Sequence, residues 1–179
     1  MKEIVQDGAE VLREIAQPVP ENLFGTPELA RIIKDMEDSL DPHLEGVALA
    51  APQIGISYRI FIIRKDRTVE AHRDESGKLS TPRELPPEIE VFINPEILKT
   101  SRRRAKVDEG CLSVHQMYGT TKRHERATVR ARRADGTQFE KSGGGLIAQI
   151  FEHEIDHLNG ILFTDHAEHV VRISNEHAE

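Results

Sequence analysis

The chain has 179 residues, 37% of them hydrophobic, and this length predicts a single domain over residues 1–179 built on one core. The net charge of −7 argues against wholesale nucleic-acid binding, and one cysteine excludes an intramolecular disulfide and suits a reducing, cytoplasmic setting. No apolar run approaches the roughly 20 residues that cross a bilayer, and Met1–Asp7 lacks the apolar core of a signal peptide.

The predicted elements are those of an α+β domain, with mixed or antiparallel strands around a central helix. The first helix begins at Pro27, with Thr26 as its cap and one apolar stripe facing the core. Apolar patterning predicts strands at residues 58–64, 89–94, 97–101, 127–132 and 137–141, the last two joined by a hairpin turn at Asp135-Gly136. Polar residues 66–87 predict a surface loop, and the tail at about 170–179 is expected to fray.

The central helix, predicted over residues 145–158, carries the motif HEIDH at His153–His157. Residues four apart share a helix face, so the two imidazoles can bind one metal ion with Glu154 beside it. A solvated helix with scattered His and Glu is the alternative. Both histidines fall on an apolar stripe, however, where desolvating them would be costly without a strong partner such as a metal ion.

A catalytic site of this type needs a third protein ligand and an open position for water. Phe163 stands where metzincin proteases have a third histidine, which excludes that family. His166 and His169 are possible ligands, although they follow the helix closely and are expected on a surface tail. The lone Cys111, which follows a glycine upstream of the helix, is a better candidate because a thiolate is a good metal ligand.

Three segments of the chain resemble, in the same order, the three motifs of the peptide deformylase family. They are GVALAAPQ at Gly46–Gln53, EGCLS at Glu109–Ser113 and HEIDHLNG at His153–Gly160. The spacing and the total length also match, and the resemblance extends to about Asp165. It implies a metal-dependent hydrolase that removes the N-formyl group from the N-terminal methionine of newly made polypeptides and releases formate.

The resemblance also implies the roles of the site residues. Cys111, His153 and His157 would hold the metal, with water as the fourth ligand, and Glu154 would act as general base and then acid. Ferrous iron is the metal that the family implies, while Zn²⁺, Ni²⁺ and Co²⁺ also suit these ligands.

Binding of the substrate would use groups from the other two motifs and from the helix. The side-chain amide of Gln53 and the backbone N–H of Leu112 would stabilise the oxyanion. The first motif would pair with the peptide like a strand, and two helix residues would help to form the methionine pocket. The residues expected to bind substrate are Gly46, Ala48, Leu146 and Ile150.

Four positions depart from the family pattern without removing a ligand, the base or an oxyanion donor. Ala48 stands where glycine is usual, His115 where proline is usual, Gln149 at a usually apolar position and Glu152 in place of glutamine. Two other functions remain open: a different metallo-amidase or peptidase, and a catalytically silent metal-binding homologue.

The charge of the chain is unevenly distributed. Residues 99–133 contain eleven Lys or Arg and three Asp or Glu, a local balance of +8. Charge runs are usually solvated faces, and the alternation of apolar and polar residues at 127–132 is typical of a half-buried strand. The sharper hypothesis is transient contact of this region with ribosomal RNA near emerging chains.

Overall fold

The computed structural model describes residues 1–69, 72–73, 79–80 and 85–173. In these ranges the α-helices are α1 (Pro27–Leu40), α2 (Lys65–Thr68) and α3 (Leu146–Leu158). The strands are β1 (Ala48–Ala50), β2 (Ile60–Arg64), β3 (His72–Arg73), β4 (Leu79–Ser80), β5 (Ile89–Thr100), β6 (Arg104–Cys111), β7 (Val114–His124), β8 (Arg126–Arg132), β9 (Gln138–Gly144) and β10 (Glu168–Arg172).

The strands form two main antiparallel sheets, which confirms the α+β class. One sheet has the order β1-β2-β5-β8-β9 and the other has the order β10-β7-β6, while β3 pairs only with β4. Helix α3 contacts β1, β8 and β9 of the first sheet and β7 of the second, so it lies centrally, as the sequence predicts. No helix in the described part of the chain is long and apolar enough to cross a membrane.

The five-stranded sheet is covered by a helix on each face because its second strand, β2, is apolar on both. Ile60 and Ile62 of β2 pack in the cluster that contains the apolar stripe of α1, whereas Phe61 and Ile63 pack in the cluster of α3. Successive strand side chains point to opposite faces, so a continuous apolar run buries both. This arrangement fixes α3, and with it the HEIDH motif, against the sheet.

Helix α1 begins as predicted. The Thr26 hydroxyl accepts a hydrogen bond from the backbone N–H of Leu29, and Pro27 occupies the first helical position, where no N–H is needed. The Asp135-Gly136 turn between β8 and β9 is also confirmed: Gly136 adopts a φ of +90°, and its N–H donates to the Arg133 carbonyl.

The prediction of separate strands at 89–94 and 97–101 is wrong, because β5 runs continuously through both. Its pairing with β8 shifts register between Ile93 and Glu96, where Asn94 has a φ of +50° and Pro95 lacks an N–H. A bulge of this kind accommodates a proline inside a strand.

Sequence patterning misses the β6–β7 hairpin, whose residues are too rich in charge to give a clear apolar alternation. The surface-loop prediction for 66–87 holds only in part, because Lys65–Thr68 forms a helical turn in which Asp66 is buried; much of the remainder lies outside the described residues. The prediction that the tail frays from about residue 170 is wrong for its first residues, because β10 pairs with β7 through Arg172. Residues 174–179 lie outside the described residues.

Candidate active site

A cleft of about 970 Å³ lies between α3, the segment that enters β1 and the β6–β7 hairpin. It is lined by all but one of the site residues predicted from the sequence: Gly46, Ala48, Gln53, Cys111, Leu112, Leu146, Ile150, His153 and Glu154. The exception, His157, is buried, with 1% of its surface exposed. The three motifs are therefore brought together at one cavity.

Cys111, His153 and His157 converge at the bottom of this cleft. One ligand atom from each lies within 4.8 Å of the others, and the distance between Cys111 Sγ and His157 Nε2 is 3.2 Å. Cys111 ends β6, whereas the two histidines lie one turn apart on α3. In the described ranges no fourth Cys, His, Asp or Glu joins this group.

The donor set fits a transition-metal ion. Ligand atoms at about 2.1–2.3 Å from a tetrahedral ion lie about 3.6 Å apart, close to the separations found here. Burial lowers the pKa of His157 well below its ordinary value, so this imidazole is held in the neutral form that binds metal. One thiolate and two imidazoles suit iron, zinc, nickel or cobalt.

The His153 ring is oriented by a buried carboxylate. His153 Nδ1 lies 2.5 Å from Glu109 Oε1, which leaves Nε2 for the metal. Arg123 holds the same carboxylate through two hydrogen bonds of 3.0 and 2.6 Å, and the Thr121 hydroxyl donates to it as well. Burial alone would raise the pKa of Glu109, but the hydrogen bonds from His153 and Arg123 outweigh it and keep that pKa well below its ordinary value.

Arg123 also connects the hairpin to the helix. Its Nη1 donates to Asp156 Oδ2 at 2.7 Å, so one guanidinium holds Glu109 of β6 and Asp156 of α3 together. In the sequence, Glu109 is part of the second motif without a predicted role, and no pattern predicts a role for Arg123. Thr121 and Arg123, two residues apart on β7, do share a strand face, but a buried face was not recognisable in so charged a segment.

Glu154 is a buried residue of the site. It is 4% exposed, and its Oε2 is one of two buried side-chain polar atoms in the described residues that lack a hydrogen-bond partner; the other is His157 Nδ1. Burial raises the pKa of Glu154 to about 7. A buried carboxylate oxygen without a protein partner, beside three groups that could bind a metal ion, is free to accept a hydrogen bond from a bound molecule.

The Gln53 side chain is held in one orientation. Its Oε1 accepts from the Ala50 N–H at 2.9 Å, while its Nε2 donates to Ser113 Oγ at 3.1 Å and lies 3.6 Å from Cys111 Sγ. The amide N–H groups therefore face the ligand cluster. Donors fixed in advance toward a reacting atom are the basis of oxyanion stabilisation.

The turn that carries Leu112 is tied to the N-terminal segment. The Gln6 side chain donates to the Leu112 carbonyl at 2.9 Å and accepts from the His115 N–H at 3.3 Å. The backbone N–H of Asp7 donates to the Ser113 carbonyl at 2.7 Å. His115, one of the departures from the family pattern, thus has a partner in this chain.

The other departures are also accommodated. Ala48 is not among the residues with positive φ, so its methyl group causes no backbone strain. Gln149 donates to the Asp108 carbonyl at 2.9 Å at the edge of the cleft, and Glu152 accepts from the backbone N–H of His124 at 2.8 Å. Of the alternative ligands, His166 contacts Asp156 at 3.5 Å, and neither it nor His169 belongs to the metal-binding group.

The fold and the cleft define a class: an α+β protein with a Cys-His-His group that could hold a metal ion and an adjacent buried glutamate, an arrangement typical of metal-dependent hydrolases. The sequence model of the polypeptide deformylase family matches residues 1–172. The chain belongs to that family and is a metal-dependent hydrolase that removes the formyl group from the N terminus of polypeptides.

Relatives and solved structures agree with this assignment. A peptide deformylase of Carboxydothermus hydrogenoformans is 37% identical over 169 residues, which are 94% of this chain and 95% of that protein. One from Salinibacter ruber is 39% identical over 89% of this chain and 76% of its own length. The crystal structure of peptide deformylase from Thermotoga maritima has a TM-score of 0.76 and 32% identity, and covers 94% of this chain and 98% of that one.

Proposed function

We propose that residues 1–179 act as one cytoplasmic catalytic domain that releases formate from the N-terminal formyl-methionine of new polypeptides, with the cleft as its active site. Water adds to the formyl carbon, the C–N bond breaks, and the freed amine takes up a proton. The observation that carries this assignment is the convergence of one sulfur and two imidazole donors beside the unpartnered Glu154 carboxylate.

Cys111, His153 and His157 would hold the metal ion. When bound, such an ion supplies Lewis acidity, which lowers the pKa of a water molecule and polarises a carbonyl group. We infer Fe²⁺ as the working metal, with Zn²⁺, Ni²⁺ or Co²⁺ as alternative occupants, because the ligand set suits all four and the family resemblance favours iron.

The chain's own residues would handle the proton and the developing negative charge. Glu154 Oε2 takes a proton from the attacking water and later delivers it to the departing amine nitrogen. The Gln53 side-chain amide and the Leu112 N–H donate to the formyl oxygen as it gains negative charge. Removing one such donor typically costs about 3 kcal/mol in the transition state.

The substrate peptide would lie along the segment that enters β1. Gly46 and Ala48 offer backbone groups for strand-like pairing, and Leu146 and Ile150 supply apolar contacts for the methionine side chain. Leu146 is 44% exposed and lines the cleft, where a bound methionine side chain would cover it. A related deformylase of Acinetobacter baumannii, 32% identical, was solved with Met-Ala-Ser bound.

Glu154→Ala tests the catalytic assignment. Loss of the proton carrier should lower kcat for formyl-Met-Ala at least 100-fold while metal content stays at the wild-type level. Glu45→Ala is the matched control, since Glu45 lies at the rim of the same cleft with its side chain 67% exposed. Equal loss in both variants would contradict a proton-transfer role for Glu154.

Comparing formyl-Met-Ala with acetyl-Met-Ala separates the remaining functions. A deformylase should turn over the formyl peptide and reject the extra methyl group of the acetyl peptide. Similar rates on both would indicate a general amidase, whereas metal binding with no turnover of either would indicate a silent homologue.

Purification under anoxia, with metal analysis, tests the choice of iron. Iron-loaded enzyme should be faster than zinc-loaded enzyme, and its activity should decline in air as the iron and the Cys111 thiolate oxidise. Zinc-loaded protein of equal activity would refute the choice of iron.

Five of the eleven cations at 99–133 form ion pairs in the fold. Arg130 pairs with Glu140, Arg132 with Glu21, and both Lys106 and Lys122 with Glu168. Five exposed cations at one end of the sheets form no ion pair among the described residues. They are Lys99, Arg102, Arg103, Arg104 and Arg126, named here the basic tip.

We propose that the basic tip makes the transient ribosome contact, because unpaired exposed cations bind phosphate at the least desolvation cost. Replacing both Arg102 and Arg103 with glutamate should weaken co-sedimentation of the protein with ribosomes and make it less dependent on salt concentration. Arg31 and Lys34 on α1, replaced in the same way, are the control. If the wild-type protein does not bind ribosomes, or binds them independently of salt concentration, the proposed contact is refuted.

A further inference from the structure

One rim of the cleft is a loop in which a single side chain donates hydrogen bonds to most of the bonded backbone carbonyl groups. Residues 41–47 connect α1 to β1, and Pro42, His43, Glu45 and Gly46 line the cleft. Carbonyl groups in such a connection have no partner in a helix or sheet, so they need water or a side chain.

Arg67 supplies that partner. Its guanidinium Nη1 donates to the carbonyl oxygens of Gly46 at 2.8 Å and His43 at 2.7 Å, with a longer contact of 3.4 Å to Leu40, while Nη2 donates to the Asp41 carbonyl at 3.0 Å. The Arg67 side chain is only 9% exposed. A buried guanidinium surrounded by carbonyl oxygens is a built structural feature, because its planar fork presents several donors in fixed directions.

Arg67 is itself held in place by its neighbours on the chain. Arg64 donates to both carboxylate oxygens of Asp66 at 2.9 Å and to Asp41 at 2.6 Å, and the N–H of Glu88 donates to Asp66 at 3.0 Å. The backbone N–H of Arg64 also donates to the Val47 carbonyl at 2.8 Å. Both sides of the contact are therefore fixed, and the loop cannot shift without breaking several bonds.

The loop has little space to move toward or away from the catalytic residues. A Cβ atom placed on Gly46 would lie 2.8 Å from Leu40 Cδ1 and 2.9 Å from Leu112 Cδ1. Gly46 thus packs directly against the residue expected to donate its N–H to the oxyanion. A displacement of the rim would change the groove between Gly46 and Leu112.

We propose that Arg67 is a positioning residue that sets the backbone of Gly46–Ala48 for peptide binding; this inference rests on the proposed function of the cleft. It contacts no catalytic atom. Its effect should therefore fall on binding of the peptide, which the segment pairs with throughout the reaction, and so on KM more than on kcat.

Arg67→Ala and Arg67→Lys, assayed with a formyl-Met tripeptide, test the proposal. Arg67→Ala should raise KM roughly tenfold with kcat within about twofold of wild type. Arg67→Lys should recover little, because an ammonium group cannot donate to four carbonyls at once. Iron content should equal that of wild type in both.

Arg132→Ala is the matched control, since Arg132 is also partly buried and donates to a carbonyl, that of Gly136, away from the cleft. It should leave KM unchanged. Assays are run well below the melting temperature of each variant; if Arg67→Ala does not fold, Arg67→Lys carries the test alone.

An unchanged KM in a folded Arg67 variant, or an equal rise in Arg132→Ala, would overturn the positioning role. A fall in kcat with constant KM would do the same, because it would reflect a smaller active fraction. Wild-type enzyme that does not hydrolyse formyl peptides would refute the proposed function instead, so the two failures are distinguishable.

Discussion

Replacing Arg123 with methionine tests whether the buried network behind the metal site both stabilises the fold and orients a ligand. Methionine keeps the aliphatic stem and removes the charge, which leaves the Glu109 carboxylate with only His153 and Thr121 as partners. The Arg123 and Glu109 side chains are 5% and 3% exposed, so water cannot replace the lost hydrogen bonds.

The expected loss of stability is large. Removing one partner of a buried ion pair costs about 3–5 kcal/mol, because the remaining charge stays desolvated. For a domain of this size that corresponds to a fall in Tm of roughly 6–20 °C. Arg130→Met is the control: its pair with Glu140 is half exposed, and its loss should cost less than about 1 kcal/mol.

Urea denaturation of wild type and both variants, all iron-loaded and anaerobic, measures the free energy of unfolding. Metal affinity is measured in parallel with a competing chelator, and should fall about 10–100-fold in Arg123→Met because His153 is no longer firmly oriented. If Arg123→Met lies within 1 kcal/mol of the control and binds metal as tightly as wild type, the reasoning about the network is wrong.

Three further changes probe other parts of the molecule. Gln6→Ala removes the donor to the Leu112 carbonyl, and kcat should fall about three- to tenfold with unchanged metal content, since one exposed hydrogen bond contributes about 0.5–1.5 kcal/mol. Burial alone raises the pKa of Asp66, but the hydrogen bonds from Arg64 and the backbone outweigh it and the net pKa is lowered. Asp66→Asn should therefore lower the free energy of unfolding at pH 7, and its difference from wild type should shrink below about pH 4. Urea denaturation measures this difference, and midpoints of the two proteins that stayed apart below pH 4 would contradict the prediction. Gly160→Ala should lower Tm by several degrees, because φ is +72° and a Cβ there would lie 2.4 Å from a backbone carbonyl oxygen; a Tm equal to that of wild type would exclude this strain.

Local patterns predicted the elements whose stabilising contacts are close in sequence. The Thr26-Pro27 cap, the stripe of α1 and the Asp135-Gly136 turn each depend on residues within a few positions of one another. The sequence did not predict that β5 is continuous. Pro95 indicates the end of a strand, and only the pairing of β5 with β8 shows that this proline lies at a bulge.

The candidate site, like the fold, was predicted from local patterns only in part. The spacing of His153 and His157 on one helix predicted two candidate ligands side by side, and the motif that contains Cys111 pointed to the third; the structure brings the three groups together. The hairpin that delivers Cys111 was not predicted, because its long strands are stabilised by pairing with each other and by ion pairs rather than by apolar alternation.

The sequence alone determined which chemical groups the candidate site contains, since three short motifs carry the thiolate, imidazole, carboxylate and amide groups in their order along the chain. Only the tertiary structure decided how those groups are held. Arg123 beneath His153 and Arg67 behind Gly46 act on residues 30 and 21 positions away, through contacts made only when strands, helix and loop pack together. The sequence pattern predicts that such charged side chains are exposed to solvent, because burial of a charge depends on partners that no local pattern specifies.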